Sequence, residues 1–485
     1  MVKLSFIMPV FQPDAILFDK VLRSLTAQSL KEWELVAVID GSFPEAVAAV
    51  NRAMKKVPNH YKIIELEHGG VQKARNIGFH NSIGDYVVFW DSDCLIECHT
   101  AKNWVDILDT KKEYGFVYSG YKFLDEGGGI NSEPFDPFLL RVRNYISTCF
   151  PLRRELFPGW DENLESLQDW SFWLSIVENG AVGKFVPGYA FSTAAPSADS
   201  ISGKGCTQEK WLERMDRVKA LHNIPIREVC IASLHNRLDA IATAKAIGAD
   251  YQDCPNDKPN HYKKIIQIGF SVRPDDFERC ARMWGKQHEK VIFWTAEDIE
   301  GIYDTVSLRA LEAYASRINL LGKQYVETKQ SQEIMEKAGF NTQVLPLPVI
   351  STEKTDPLPD APKFLVDVSK DYGHVFTALE KSVPDIKLKI MGTVEKIEDY
   401  TGMICFHKDR LLRPSIKRML SAGRHVVSNV QQPFCGYMDD RVSDAVFIRN
   451  FVGHIRAAAK KPQSKEAVRY WIDPRRLDRF KEAIL

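Results

Sequence analysis

Long apolar runs alternate with amphipathic stretches through the first half of the chain. The runs at 33–39 and 86–90 lack the alternation of a half-exposed strand, which is the pattern of strands buried on both faces. Between such runs apolar residues recur at helical spacing, as they do from Leu17 to Leu25 behind Asp14, which we predict to cap that helix. Strands that alternate with helices predict a mostly parallel sheet with right-handed crossovers.

The strand predicted at 86–90 ends in a pair of carboxylates. Asp91 and Asp93 follow it, separated by Ser92, and the strand predicted at 33–39 ends at Asp40 in the same way. Ligands of open α/β sheets bind outside the carboxyl ends of the strands, and two such aspartates can hold a hard divalent cation and, through it, a diphosphate. Asp-Ser-Asp is also an ordinary turn sequence. The motif by itself therefore leaves a metal site and a solvated turn open.

The second half repeats the alternation of strands and helices. Apolar runs predict strands at 227–233, 263–270, 291–294 and 323–328, and again at 363–368, 387–392, 403–406 and 424–428. The stretch 351–362 is rich in Pro, Asp and Thr, which suits a linker between the two groups. We therefore expect an α/β protein of three domains, at 1–222, 223–354 and 355–485.

Composition and charge narrow the function classes. The 485 residues are 45% hydrophobic and 26% charged, which are globular values. Lys and Arg together number 64, as do Asp and Glu, so the net charge of zero gives no support for a large nucleic-acid or membrane-binding surface. The nine scattered cysteines form no CxxC pair and no cluster with zinc spacing, which suits reduced thiols in the cytoplasm. No apolar run approaches the roughly 18 residues of a membrane span, so none is expected.

The first half resembles the family-2 glycosyltransferases of the GT-A fold. The segments that match successive motifs of that family, in the same order and spacing, are 5–11, 34–42, 74–78, 84–93, 157–164 and 168–174. The resemblance covers about residues 4–200. It implies a nucleoside-diphosphate sugar lying across the sheet edge, with a UDP-sugar as the first expectation, and Mn²⁺ or Mg²⁺ as cofactor.

The same resemblance assigns residues to the donor. Pro9 and Phe11 match the positions that flank the nucleobase, Phe11 by stacking. Asp40 matches the aspartate that hydrogen-bonds the base, and Arg75 matches the arginine beside the pyrophosphate, where a planar cation suits anionic oxygens. Core packing remains open for Phe11, as does a solvated helix position for Arg75.

The resemblance also assigns the metal site and the base. Asp91 and Asp93 match the metal motif, and Ser92 between them belongs to the expected sugar-nucleotide site. Asp169 matches the general base that deprotonates the acceptor hydroxyl for in-line attack with inversion. Its alternative role is an N-cap on the aromatic helix that follows it.

Three positions depart from the family pattern and make the nucleotide preference less secure. Ile39 replaces the first of two aspartates, Cys94 replaces a frequent third aspartate after the metal motif, and Gln168 stands where an acid is common. Residues 119–150 are expected to recognise the acceptor, and residues 194–205 to form either a mobile lid or a linker.

The second half resembles, more faintly, a family-4-like GT-B glycosyltransferase with two Rossmann-like domains. The matching segments are 291–299, 384–392 and 419–428, but 411–417 lacks the glutamate pair expected before the last of them. Diphosphate binding or solvated surface charge would account for four basic residues, Lys370, Lys408, Arg410 and Arg413. A second active transferase, a degenerate binding or scaffold module and an unrelated α/β module all remain open.

The leading hypothesis is a metal-dependent, inverting glycosyltransferase that acts on a hydroxyl of a glycan, lipid, protein or modified nucleobase. A nucleotidyltransferase would also use aspartates on Mg²⁺, but residues 8–13 are not the glycine-rich, basic loop that a triphosphate needs. A non-catalytic glycan-binding protein is the third alternative. The joint presence of Asp91, Asp93 and Asp169 argues against it in the first half.

Overall fold

The computed structural model describes most of both halves of the chain. The ranges described are 2–41, 43–124, 128–194, 207–233, 237–253, 262–270, 289–296, 298–299, 308–348, 362–368, 373–390, 400–407, 413–422, 424–429, 436–437, 452, 454–458 and 473–484. The chain divides into two compact units, Met1–Ile226 and Arg227–Leu485.

The first unit is an α/β unit built around one nine-stranded sheet. Its strands are β1 Leu4–Val10, β2 Trp33–Asp40, β3 His60–Leu66, β4 Tyr86–Phe89, β5 Leu95–Ile96, β6 Phe116–Phe123, β7 Gly129–Ile130, β8 Leu152–Arg153 and β9 Gly183–Thr193. Its helices are α1 Ala15–Thr26, α2 Pro44–Met54, α3 Val71–His80, α4 Thr100–Thr110, α5 Pro137–Val142, α6 Gln168–Glu178 and α7 Gln208–Leu221, with a 3₁₀ turn at Arg154–Leu156.

The strand order is β3-β2-β1-β4-β8-β6-β9-β5, with β7 paired to β6. The strands β1 to β4 are parallel, as predicted, and Ile7 lies beside both Val36 and Phe89. Beyond β4 the sheet is mixed, which a mostly parallel sheet allows. Strand β9 runs parallel to β6, whereas the short strands pair antiparallel, β8 with β4 and β6, and β5 with β9. These short strands carry no long apolar run, so their pairing depends on distant segments of the chain.

Both faces of the parallel strands are covered. Leu35 and Ala37 of β2 pack into the main core, whereas Val36 and Val38 pack with Ala74 of α3 on the other face. This confirms the prediction of doubly buried strands drawn from their unbroken apolar sequence. A second prediction is also confirmed, because Oδ1 of Asp14 accepts a hydrogen bond of 2.8 Å from the Leu17 amide and caps α1.

The second unit contains two separate parallel sheets. The first has the order β11-β10-β12-β13-β14-β15 and the second β17-β16-β18-β19-β20. The first group of elements is β10 Val229–Ser233, α8 Arg237–Ile247, β11 Asp250–Asp253, β12 Lys264–Ile268, β13 Glu289–Trp294, α9 Leu308–Ile318, β14 Lys323–Val326, α10 Lys329–Lys337 and β15 Gln343–Val344. The second is β16 Lys363–Val368, α11 Gly373–Ser382, β17 Lys387–Ile390, β18 Gly402–Phe406, α12 Pro414–Ser421, β19 His425–Ser428, β20 Gly436–Tyr437 and α13 Pro474–Ile484.

Two contacts connect segments that are distant within the second unit. The C-terminal helix α13 packs on the six-stranded sheet, where the ring centroid of Phe480 lies 5.3 Å from that of Phe293. Lys417 of α12 pairs with Glu327, which directly follows β14, through Nζ–carboxylate distances of 2.7 and 2.6 Å. The two-sheet organisation agrees with the α/β prediction, while the GT-B arrangement and the division into domains at 354/355 remain predictions.

Several predicted features lie outside the described residues. They are most of the linker 351–362 and of the loop 194–205, together with Lys370, Lys408 and Arg410. No described helix combines the length and the apolar character that a bilayer crossing requires.

Candidate functional site

The carboxyl ends of β1, β2 and β4 lie side by side, because β1 is hydrogen-bonded to both other strands. Phe11 follows β1, Asp40 closes β2 and Asp91 follows β4 across one intervening residue. The sequence predicted this convergence from the parallel order of the strands. The edge of the sheet thus gathers an aromatic side chain and several carboxylates.

The carboxylate of Asp40 is engaged by the loop before α3. Its two oxygens accept hydrogen bonds from the amides of Gly69 and Gly70, at 2.7 and 3.0 Å, and Oδ2 also lies 3.1 Å from Nδ1 of His68. Gly70 has a φ of +95°, a conformation that favours glycine, so the loop shape depends on this residue. Asp40 therefore holds the glycine turn that the sequence places at the start of α3.

Phe11 is 48% exposed and forms part of an aromatic surface at the sheet edge. Its ring centroid lies 5.0 Å from His68 and 5.6 Å from Phe43. Core packing, the alternative for Phe11, is therefore wrong. Pro9 lies inside β1 beside Val38 and is buried, and β1 continues past it to Val10.

Arg75 is held rigidly over the same edge. Its side chain is 7% exposed, and Nη2 donates a hydrogen bond of 2.8 Å to Oδ1 of Asp91. The guanidinium carbon lies 4.5 Å from the ring centroid of Trp160, a cation–π contact. Nε of Arg75 is buried and has no hydrogen-bond partner among the described residues. The solvated position considered for Arg75 is thus excluded.

A close helix–strand contact sets the position of Arg75. Gly78, one turn further along α3, lies so near Ile7 of β1 that an added Cβ would collide with the Ile7 side chain. In addition, Asn76 exchanges hydrogen bonds of 2.8 and 3.0 Å with the backbone of Trp160, which fixes the indole under Arg75. The Ala-Arg-Asn-Ile-Gly sequence therefore combines the charged Arg75 with a close-packing glycine and a hydrogen-bonding asparagine.

Asp91 and Asp93 differ in environment. Asp91 is 39% exposed and receives the Arg75 hydrogen bond. Burial raises the pKa of Asp93, and the negative charge of Asp91 raises it further. Two carboxylates that repel each other in this way fit a divalent cation, whose charge would remove the repulsion. Ser92 is half-buried between them.

Two buried thiols lie behind the aspartates. Sγ of Cys149 is 3.7 Å from Oδ2 of Asp91, Sγ of Cys94 is 3.6 Å from Oδ1 of Asp93, and the two sulfurs are 3.8 Å apart. The hydrogen bond with Cys149 and burial both raise the pKa of Cys94, while burial is the main cause that raises that of Cys149. Without a bound ion, both cysteines are therefore neutral thiols at pH 7.

Asp169 lies in the first turn of α6. The N-cap of this helix is Leu167, with a φ of +57°, so the N-cap role considered for Asp169 is wrong. Oδ2 of Asp169 accepts a hydrogen bond of 2.7 Å from Nδ2 of Asn144, and Oδ1 accepts one of 2.9 Å from the Trp170 amide. Burial raises the pKa of Asp169, which brings the carboxyl toward the range of a general base.

The predicted base lies near enough to Arg75 and Asp91 for their charges to shift its pKa. The charges of Arg75 and Asp91 both act on Asp169, the first lowering its pKa and the second raising it. Three residues of the site, Asn144, Trp160 and His68, were not predicted from the sequence. Trp160 lies inside a segment that resembled a family motif, but nothing in that motif indicated a contact with Arg75.

Comparison with known proteins relates part of the first unit to glycosyltransferases. Residues 5–158 match the model of Glycosyl transferase family 2. The chain is 27% identical over 197 residues to an uncharacterized glycosyltransferase of Rickettsia conorii, covering 37% of this chain and 31% of the relative. It is 37% identical over 95 residues to the glycosyltransferase GlyA of Streptococcus pneumoniae, covering 20% of this chain and 13% of the relative.

A solved structure, S. aureus TarS in complex with UDP-GlcNAc, superposes with a TM-score of 0.38 at 20% identity, over 45% of this chain and 66% of that chain. The chain spans about a third or less of the length of the curated relatives named above. The match over residues 5–158 agrees with the family-2 resemblance predicted for the first half, and it is a similarity of this segment to that family. The GT-B resemblance of the second half remains a prediction.

Proposed function

We propose that the first unit transfers a sugar from a nucleoside-diphosphate sugar to a hydroxyl acceptor, with inversion at the anomeric carbon. The observation that favours this function is the hydrogen bond between Arg75 and Asp91 at the sheet edge, together with the effect of both charges on Asp169. A leaving diphosphate needs positive charge and an attacking hydroxyl needs a base. This edge offers both.

The donor would lie along the edge from β2 to β4. The exposed ring of Phe11 beside His68 offers a stacking surface for the nucleobase. Arg75 is buried and anchored on Trp160, so it presents a fixed cation to the diphosphate with little loss of side-chain entropy. A UDP-sugar is the first donor to test.

Asp91 and Asp93 would hold the cation, Mn²⁺ or Mg²⁺. When bound, this ion neutralises the charge that develops on the leaving diphosphate. The hydrogen bond from Arg75 holds the Asp91 carboxylate in place, and a bound cation would offset the repulsion between Asp91 and Asp93.

Asp169 would accept the proton of the acceptor hydroxyl. Its carboxylate is held by Asn144 and by the Trp170 amide, so the base is oriented before the acceptor arrives. The hydroxyl oxygen then attacks the anomeric carbon opposite the leaving diphosphate. Because a single displacement forms one bond while the other breaks, the configuration inverts.

The test is release of nucleoside diphosphate from a panel of nucleotide sugars, with Mn²⁺ or Mg²⁺ and with candidate glycan, lipid and protein acceptors. We expect Asp93→Asn and Asp169→Asn to lose activity by about 10²-fold or more. Asp106→Asn, at an exposed aspartate of α4 paired with Lys102, is the matched control and should keep full activity. Undiminished turnover in Asp93→Asn would contradict its role as a metal ligand, and undiminished turnover in Asp169→Asn would contradict its role as the base. Retention of configuration in the product would exclude a single displacement.

A further inference from the structure

The five-stranded sheet of the second unit has a topological switch point between β16 and β18. From β16 the chain moves through α11 to β17 on one side, and then crosses to β18 on the other side of β16. In parallel α/β sheets, ligands bind outside the carboxyl ends of the strands where the order reverses in this way. The carboxyl ends of β16 and β18 are therefore where a site is expected.

Three potential ligands occupy this point on one face of the sheet. Asp367 of β16 is the register partner of Cys405 of β18, and neighbours in register point to the same face. His407 lies two residues beyond Cys405, so the period of two along a strand returns it to that face. The sheet geometry alone thus brings a carboxylate, a thiol and an imidazole together.

The distances agree with that placement. Nε2 of His407 lies 2.9 Å from Oδ1 of Asp367, and Sγ of Cys405 lies 3.7 Å from Oδ2 of the same carboxylate. All three ligand atoms fall within 4.8 Å of one another. Ligands on a tetrahedral ion with bonds of about 2.0–2.3 Å are themselves separated by roughly 3.3–3.8 Å. Small side-chain adjustments would therefore suffice to close the three around one ion.

Neighbouring polar groups hold the carboxylate of Asp367 and the backbone of His407. Oγ of Ser415, in the first turn of α12, donates a hydrogen bond of 3.3 Å to Oδ2 of Asp367. Asn429, which follows β19, holds the backbone of His407 through its Oδ1, 3.3 Å from the amide, and its Nδ2, 2.8 Å from the carbonyl. Such outer contacts are what fixes ligand orientation in metal sites.

We propose that Asp367, Cys405 and His407 bind a divalent transition-metal ion of the zinc class. A thiolate and an imidazole select zinc-like ions over Mg²⁺ or Ca²⁺, which prefer oxygen ligands. The side chains of His407 and Asp367 remain 9% and 16% exposed, so an ion has access. Binding converts the Cys405 thiol to a thiolate and releases its proton to solvent. Three protein ligands leave the fourth tetrahedral position to a water molecule or a substrate atom.

Cobalt substitution tests the proposal directly. The purified full chain is stripped with chelator, titrated with Co²⁺, and its thiolate-to-cobalt charge-transfer absorption is recorded. We expect one equivalent of Co²⁺ to give this band and Zn²⁺ to displace it. Cys405→Ser should abolish the band, and Asp367→Asn and His407→Gln should each weaken Zn²⁺ binding about 10-fold or more.

Cys149→Ser is the matched control, because Cys149 is also a buried thiol beside an aspartate, Asp91. The band should persist in this variant. Loss of the band in Cys149→Ser and its persistence in Cys405→Ser would overturn the proposal, as would a wild-type chain without any band. If Cys405→Ser fails to fold, the near-isosteric Asp367→Asn decides the question through the Zn²⁺ affinity. None of these measurements depends on glycosyl transfer.

Discussion

Nδ2 of Asn144 donates a hydrogen bond of 2.7 Å to Oδ2 of Asp169, while Oδ1 of the same asparagine accepts one from the Ile146 amide at 3.1 Å. The asparagine is thereby locked in one orientation. The carboxylate receives a donor that cannot rotate away, so Asn144 acts as a positioning residue for the proposed base.

Asn144→Leu should alter the pH profile of the transferase. The hydrogen bond from Asn144 stabilises the charged form of Asp169, so its loss adds to the effect of burial and raises the pKa of Asp169 further. Because the base must be deprotonated, the acidic limb of kcat against pH moves to higher pH, and kcat at neutral pH falls about 10-fold or more. Asn179→Leu, at an exposed asparagine after α6, should leave the limb in place. An unchanged limb in Asn144→Leu would mean that the asparagine only supports the loop.

Asp169→Asn should stabilise the protein while it abolishes transfer. Burial raises the pKa of Asp169 in the folded state, so the stability this carboxyl contributes is present below its unfolded pKa and is lost as the pH rises through the folded pKa. The side chain of asparagine does not ionise, so Asp169→Asn avoids the loss of stability that the wild type undergoes when its buried carboxyl becomes charged. At neutral pH we expect a gain on the order of 1 kcal/mol, seen as a Tm increase of about 2–4 °C.

The pH dependence supplies the control for this stability gain. Below the unfolded pKa of an aspartate the advantage of Asp169→Asn should disappear, since the wild-type carboxyl is then protonated in both states. Asp106→Asn, on the solvent face of α4, should show no comparable gain at any pH. A Tm that falls at neutral pH in Asp169→Asn would show that the carboxylate is stabilised in the fold.

Phe11→Ala tests the nucleobase surface. The ring is 48% exposed and packs edgewise on Phe43 and beside His68, so its removal leaves the core intact. A stacking contact made equally in the ground state and the transition state changes KM and leaves kcat alone. We expect KM for the donor to rise about 10-fold, as measured by steady-state kinetics with varied donor. Ile16→Ala, at an exposed apolar residue of α1, should change neither KM nor kcat. A fall in kcat alone for Phe11→Ala would contradict a stacking contact with the nucleobase.

The sequence predicted the features that depend on neighbouring residues. The cap at Asp14 and the doubly buried strand β2 follow from local pattern, and the convergence of Asp40 with Asp91 follows from parallel strand order. These inferences need no knowledge of where remote segments pack. The roles assigned to Asp91, Asp93 and Asp169 remain predictions, although the structure places them in one neighbourhood.

Contacts between distant segments could not be predicted. Asn144 reaches Asp169 across 25 residues, and Trp160 contacts Arg75 from a loop whose backbone is hydrogen-bonded to Asn76. The ligand set in the second unit was missed for the same reason. Cys405 and His407 lack the spacing of a zinc motif, and Asp367 joins them only through the register of β16 and β18.

The buried pair Glu327–Lys417 should be important for the stability of the second unit. Both side chains are at most 7% exposed, and the pair connects the end of β14 to α12 of the other sheet. Glu327→Gln removes the negative charge opposite a buried ammonium, so we expect a loss of about 3–5 kcal/mol in the unfolding free energy.

The measurement for this pair is hydrogen exchange of the β14 and β18 amides in the full chain. Replacing both residues, Glu327→Leu with Lys417→Met, should recover most of that loss, because no buried charge is left without its partner. Removing the exposed Lys102–Asp106 pair should cost less than about 1 kcal/mol. Equal losses in the single and double variants would show that packing, and not the charge pair, connects the two sheets.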